Sequence, residues 1–245
     1  MLIILNMKSF LVLLSCLLSQ ALFAKELPPL IDFHRALPTW DATPHQRTLS
    51  HPENLAFNTA PEIGAFIEYL VKEFGIEIVV ETGTYRGFTT AFFSTISKEV
   101  HTIEVVEEIY EETKGALKGR SNITFHLGSS DLVLKDLLPS LKSKPVLFYL
   151  DAHWYDKWPL RQELEEISKT HKDHCVIVID DFKVPGRKDI PYDKYKKNEC
   201  SIDYIYENLQ KVFSDYAIHF VIPKNYTSRA KFIAYPKKWV TTTHQ

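Results

Sequence analysis

The sequence predicts an α/β fold: a seven-stranded, mostly parallel sheet with helices on both faces and a C-terminal antiparallel hairpin. Three observations carry this. Short apolar runs alternate with amphipathic helical segments between residues 76 and 213. The runs are apolar throughout rather than at every second residue, as in strands buried on both faces. Two further strand-like segments end the chain, joined by a short polar loop over 223–229, and so read as a hairpin at a sheet edge.

The elements follow in order. A helix is expected over 61–74, with Thr59 as N-cap, Pro61 in the first turn and Gly75 beyond the end. Ile63, Phe66, Ile67, Leu70 and Val71 fall on one face of it. Strands are expected over 76–80, 100–105, 123–127, 146–150 and 176–179. Helices between and after them are expected over 89–97, 107–117, 132–138 (short), 160–169 and 202–213. The final pair of strands covers 217–222 and 231–235.

A length of 245 residues suits one principal domain, here placed at 59–245. Lys8, the apolar run from Phe10 to Phe23 and the sequence Ala21-Leu22-Phe23-Ala24 mark 1–24 as a signal peptide. Export to a periplasm or the exterior is therefore expected, with no stable membrane span after cleavage. The alternatives are an uncleaved membrane anchor, a lipoprotein site at Cys16, or a buried helix. Residues 25–58, with Pro28, Pro29, Pro38, Pro44 and Pro52, read as an arm or lid. A net charge of −2 gives no reason to expect a nucleic-acid partner. Cys175 and Cys200 allow one disulfide, although Cys175 opens an apolar run and reads more simply as a buried thiol. Oligomeric state is left open.

A parallel sheet of this kind binds ligands beyond the carboxyl ends of its strands. The first such loop is Glu81-Thr82-Gly83-Thr84-Tyr85-Arg86-Gly87-Phe88-Thr89. Gly83 and Gly87 permit a tight turn against a ligand, and the helix that follows offers its N–H groups. Glu81 would repel a pyrophosphate but suits an ammonium or sulfonium. That favours S-adenosylmethionine over a nicotinamide dinucleotide. Glu104 ends the second strand, where it can accept from ribose hydroxyls or simply be one of a run of surface acids. Gly128-Ser129-Ser130-Asp131 follows the third strand and can face an adenine, cap a helix, or both. Asp151-Ala152-His153 and Asp180-Asp181 end the fourth and fifth strands. Three carboxylates in one crevice need a cation. Mg²⁺ held by Asp151, Asp180 and Asp181 is one remedy; a protonated Asp, or pairing with Arg161 or Arg187, is another.

Taken in order, these motifs resemble the class I S-adenosylmethionine-dependent methyltransferases. The likeness lies closest to the O-methyltransferases of the catechol, caffeoyl-CoA and macrocin types, over about residues 60–240. The resemblance implies a Rossmann-like sheet and an O-methyl transfer to a small-molecule hydroxyl, on a sugar or a phenol. It implies that Glu81, Gly83, Tyr85, Gly87 and Thr89 surround the cofactor's methionine part, with Thr82 and Thr84 of the same loop also binding the cofactor. Glu104 would hold the ribose, Ser130 and Asp131 would lie near the adenine, and Asp151 would also bind the cofactor. The metal-ligand positions fall on Asp151, Asp180 and Asp181, though Asp181 stands where Asn is usual. No lysine matches the family's base, since Trp154 or Tyr155 stands there and Lys157 is the nearest. His153, with Asp151, is the candidate catalytic group instead, and a structural role for His153 is the competing reading. His34, Trp40, His45 and Trp158 are candidates to line the acceptor pocket. Two rival readings are a nicotinamide-dependent oxidoreductase and a non-catalytic cofactor-binding module.

Overall fold

The computed structural model describes residues 51–153, 157–224 and 229–241. The expected signal peptide, the arm as far as residue 50, and the pocket candidates His34, Trp40 and His45 lie outside the described residues. So do Trp154 and Tyr155. Every described residue falls in one unit, 39–245.

The sheet has seven strands: β1 (Ile78–Thr82), β2 (Glu99–Glu104), β3 (Ile123–Leu127), β4 (Val146–Leu150), β5 (Cys175–Ile179), β8 (Tyr216–Val221) and β9 (Lys231–Pro236). Two short strands, β6 (Lys194–Tyr195) and β7 (Asn198–Glu199), form a separate ladder. The main order is β3-β2-β1-β4-β5-β9-β8. Its first five strands pair in parallel, and β9 runs antiparallel to both β5 and β8. The order reverses between β1 and β4, so their carboxyl ends open the crevice in which such sheets bind ligands. The antiparallel run of β9 brings its first residues beside the last residues of β5, since Phe232 pairs with Ile179. A residue from the far end of the chain therefore reaches the same crevice.

Helices α1 (Pro61–Glu73), α2 (Phe88–Ile96), α3 (Glu107–Ala116), α4 (Ser130–Leu141), α5 (Leu160–Thr170), α6 (Ile202–Val212) and α7 (Lys238–Thr241) complete the fold. The core is continuous from Ile78, Val80 and Phe148 in the sheet to Leu134, Leu164 and Leu209 on the helices. Fully burying a side chain of this size contributes about 1.5–3 kcal/mol. Residues 52–59 form two short helical turns, and their buried Phe57 packs on Phe92, Phe93 and Tyr149 with ring centroids 5.2–6.0 Å apart.

Several boundaries differ from expectation for local reasons. The first strand begins at Ile78 because Gly75 and Ile76 close the preceding helix. Gly75 adopts φ +60, and Ile76 N–H donates to Val71 O at 2.9 Å. Glu81 and Thr82 consequently lie inside β1 rather than in a loop. Thr59 is not the N-cap of α1: that position is held by Ala60, and Thr59 itself has φ +66. Helix α4 is longer than expected and runs on through Pro139 to Leu141. Cys175 and Cys200 are both buried free thiols, so the possible disulfide is not formed.

Candidate active site

The turn after β1 is shaped by its glycines. Gly83 has φ +86, and a Cβ there would stand 2.8 Å from the Asp151 carbonyl oxygen. Gly87 has φ +69, and a Cβ there would lie 2.4 Å from Thr113 Cγ2. Tyr85 is also left-handed at φ +46, and its ring is exposed with the Arg86 guanidinium 5.5 Å from its centre. Thr84 is buried, its hydroxyl 2.6 Å from that of Thr102. Thr113 Oγ1 donates to Tyr85 O at 2.6 Å and ties the turn to α3.

Glu81 is buried at the floor of this turn. Thr90 and Thr102 donate to its Oε2 at 2.5 and 2.7 Å. Burial raises its carboxyl to about 7, the two hydroxyls offsetting only part of that. Thr89, named from the sequence, sits in the same helical turn, but the neighbouring Thr90 makes the contact. Glu104 is buried as well. Its Oε2 accepts from Tyr85 N–H at 2.9 Å, and its Oε1 from Val105 and Val106 N–H at 2.9 and 3.0 Å. It therefore fastens the first loop to the second strand. Glu81 and Glu104 face one crevice, close enough for Glu104's charge to raise the Glu81 carboxyl.

Beyond β3, Ser129 Oγ donates to Asp131 Oδ1 at 2.5 Å, and Lys157 Nζ lies 2.9 and 3.1 Å from the two Asp131 oxygens. Lys157 thus serves the Asp131 loop. Ser130 is buried and turns toward Glu163 on α5, whose carboxyl is raised to about 7 by burial. Neither the Ser130 hydroxyl nor the Glu163 carboxylate has a hydrogen bond of good geometry among the described residues.

Asp151, Asp180 and Asp181 do meet at the ends of β4 and β5, as expected, but the chain supplies its own cations. Lys231, at the start of β9 and fully buried, forms an ion pair with Asp180 Oδ1 and lies 3.8 Å from Asp181 Oδ1. Tyr149 Oη donates to Asp180 Oδ2 at 2.5 Å, and Asp181 N–H to Asp180 Oδ1 at 2.5 Å. Arg229 donates to Asp181 Oδ2 at 2.7 Å and also pairs with Asp193. Burial works against ionisation of Asp180, but Lys231 outweighs it and holds that carboxyl below the ordinary range. Burial, together with Asp180, lifts Asp181 to about 6. Burial and the two neighbouring carboxylates push Asp151 well above the usual range, and among the described residues its carboxylate takes no hydrogen bond.

These contacts correct two expectations. The partners of the aspartates are Lys231 and Arg229, not Arg161 or Arg187. Arg161 donates to Tyr204 O and stacks on that ring, and Arg187 pairs with Asp189. The Mg²⁺ site over Asp151, Asp180 and Asp181 does not fit either. A hard cation needs carboxylate oxygens at about 2.0–2.6 Å, and here an ammonium and a guanidinium already engage Asp180 and Asp181. No group of three His, Cys, Asp or Glu side chains among the described residues is arranged to hold a metal ion.

His153 stands at the rim, its ring centre 5.6 Å from that of Tyr195. Burial and then Arg229 hold its imidazole below the ordinary range, so it is neutral at pH 7. A small cavity lies among Asp151, His153, Trp158, Glu163, Asp180 and Asp181. An adjoining open one is lined by Asn58, His153, Asp181, Asp193, Tyr195 and Arg229. Trp158 is held by stacking on Tyr204, centroids 4.3 Å apart at 5°.

Sequence reasoning missed Thr90, Thr102, Glu163, Arg229 and Lys231. The available signal was a polar or charged residue inside an otherwise apolar element. Lys231, opening the run Phe232 to Tyr235, is the clearest case.

Residues 80–182 match the model of a methyltransferase domain. A protein-L-isoaspartate O-methyltransferase from Dictyoglomus turgidum is 33% identical over 138 residues, covering 55% of this chain and 55% of that protein. One from Myxococcus xanthus is 32% identical over 97 residues, covering 39% and 42%. The chain thus spans about half the length, or less, of these curated relatives. Among solved structures, the O-methyltransferase TomG from Streptomyces achromogenes, in complex with SAM, superposes with a TM-score of 0.54 at 16% identity, covering 76% of this chain and 88% of that one. An O-methyltransferase from Bacillus cereus, in complex with SAH, gives 0.52 at 18%, covering 82% and 84%. Residues 80–182 thus resemble a methyltransferase domain, and the chain shares the Rossmann-like fold of these O-methyltransferases.

Proposed function

We propose that the protein transfers the methyl group of S-adenosylmethionine to an oxygen of a small acceptor, a sugar or phenolic hydroxyl. The observation that carries this reading is the buried Glu81 carboxylate beneath a glycine turn too close to Asp151 to admit a side chain. A buried carboxylate answered only by hydroxyls is matched to a cationic ligand. Glu81 would hold the ammonium end, Glu104 the ribose, and the Asp131 loop the adenine. The cofactor's sulfonium supplies the electrophilic methyl group.

The chain's part is to align the acceptor and take its proton. As the S–CH₃ bond breaks and the O–CH₃ bond forms, the hydroxyl proton passes to a base in the crevice. Asp151 and His153 are the candidates: one is an unbonded carboxylate, the other a neutral imidazole. A divalent metal has no part in this scheme.

Calorimetry with S-adenosylmethionine and NAD in parallel tests the cofactor. Binding of the first alone is expected; binding of NAD alone would sink the reading and favour an oxidoreductase. Glu81→Ala and Glu104→Ala should each weaken S-adenosylmethionine by more than about tenfold, equivalent to about 1.4 kcal/mol. A screen with labelled cofactor over sugars, phenols and L-isoaspartyl peptides tests the acceptor. Label on the peptides alone would replace the hydroxyl reading with the carboxyl chemistry named for the relatives. Label on no acceptor, with the cofactor bound, would favour a binding module. We also propose that residues 1–24 direct export. N-terminal sequencing of native protein should begin at Lys25, and a start at Met1 or Met7 would overturn cleavage.

A further inference from the structure

The geometry points to Lys231 as the resident cation of the acceptor side, standing where a divalent metal would otherwise bridge the aspartates, so that this site excludes metal. The inference rests on the acceptor lying beside Asp151, as proposed above, but its test does not.

Lys231 cannot reach solvent: its side chain is fully buried. Its backbone is fixed in β9, paired across to Val221, with Phe232 paired to Ile179 on the other side. The ammonium sits on Asp180 and near Asp181. Tyr149 and the Asp181 N–H also donate to Asp180, and Arg229 donates to Asp181 Oδ2. A metal ion would have to displace an ammonium that has nowhere to go, or sit beside it against like-charge repulsion in a poorly screened interior. Lys231 keeps Asp180 ionised and anchored, which leaves the neighbouring Asp151 as the one carboxylate of the three without a partner. It is a positioning residue, acting on the acceptor side through Asp180.

Mn²⁺ titrated into the full-length protein, with free ion followed by electron paramagnetic resonance, tests this without cofactor or acceptor. The wild type should bind no Mn²⁺ up to millimolar concentration, and its melting temperature should not change with EDTA. Lys231→Ala should open the three carboxylates and bind one Mn²⁺ at least about tenfold more tightly than the wild type; Lys231→Arg, which keeps the charge, should not. Stoichiometric Mn²⁺ binding by the wild type, lost in Asp180→Asn, overturns the proposal. So does a folded Lys231→Ala that binds no more Mn²⁺ than the wild type. If Lys231→Ala does not fold, the wild-type titration decides. Loss of S-adenosylmethionine binding in calorimetry would count against the methyltransferase reading and leave the Mn²⁺ result standing.

Discussion

The two halves of the crevice handle negative charge in opposite ways. At the tips of β1 and β2, the carboxylates of Glu81 and Glu104 are met by hydroxyls and backbone N–H groups, with no ion pair among the described residues. At the tips of β4, β5 and β9, Asp180 and Asp181 are met by a lysine and an arginine. The first half is thus prepared for a ligand that brings positive charge. In the second, Asp180 and Asp181 already have resident cations, and Asp151 alone of the three aspartates has no partner among the described residues. This difference supports the proposed placing of cofactor and acceptor at the two ends of the crevice.

The largest effect should come from breaking the balanced half. Removing one partner of a buried ion pair leaves the other uncompensated and costs about 3–5 kcal/mol. Lys231→Met should therefore lower unfolding free energy by about that much in urea titrations, and Asp180→Asn added to it should restore part of the loss. A Lys231→Met protein within about 1 kcal/mol of wild type would mean the pair is not a structural element of this half.

Next in size is a change in the unbalanced half. Gly83→Ala would place a methyl group 2.8 Å from the Asp151 carbonyl at a backbone φ of +86. The turn must open, so S-adenosylmethionine affinity should fall at least about a hundredfold, or about 2.7 kcal/mol, while stability drops by about 1–3 kcal/mol. Undiminished affinity, measured by calorimetry, would show that the cofactor does not lie against this turn.

How much of this was legible beforehand follows the same division. The alternation of strands and helices was readable because buried parallel strands are apolar throughout, as Val146 to Leu150 are. The glycine turn and strand-end acids were readable because their place in the crevice is set by backbone position. What could not be read was pairing across the sheet. Nothing local ties Lys231 to Asp180, 51 residues earlier; only the antiparallel entry of β9 beside β5 does so. For the same reason three aspartates looked like a metal site when counted along the chain. Thr90 lost out to Thr89 because adjacent helical residues point about 100° apart, and one-residue errors in a helix start decide which of them faces inward.

A smaller effect, with a sign that differs between folding and binding, belongs to Glu81. Its carboxyl is raised to about 7 in the folded chain against 4.5 for the ordinary group. The folded state therefore holds this proton more tightly than the unfolded state does. The group's contribution to stability falls as pH rises from 4.5 to about 7, and is flat above that. Binding a cationic ligand needs the ionised form, so affinity for S-adenosylmethionine should weaken by up to about tenfold per unit below pH 7. Glu81→Gln should remove that pH dependence, raise the melting temperature of the ligand-free protein at pH 8, and weaken cofactor binding about tenfold. A Glu81→Gln protein with wild-type affinity at pH 8 would contradict the ammonium assignment.

The smallest effect should come from the Asp131 loop, where the two regimes meet. Here a carboxylate proposed to face the adenine has a cation, Lys157, but the lysine side chain is 49% exposed. Burial pushes the Asp131 carboxyl up; the Ser129 hydrogen bond and Lys157 together outweigh it and hold the group below the ordinary carboxylate range. An ion pair this open to water is worth at most about 1 kcal/mol and is screened by salt. Lys157→Ala should therefore change S-adenosylmethionine affinity by only about twofold at low salt, with the difference vanishing near 1 M NaCl. Lys157 also lies four residues after His153, so a larger loss, persisting in high salt and confined to turnover rather than binding, would reveal a catalytic role for the lysine at the acceptor end. With only the small, salt-sensitive effect, Lys157 remains a tether for the Asp131 loop, and proton removal is left to Asp151 and His153.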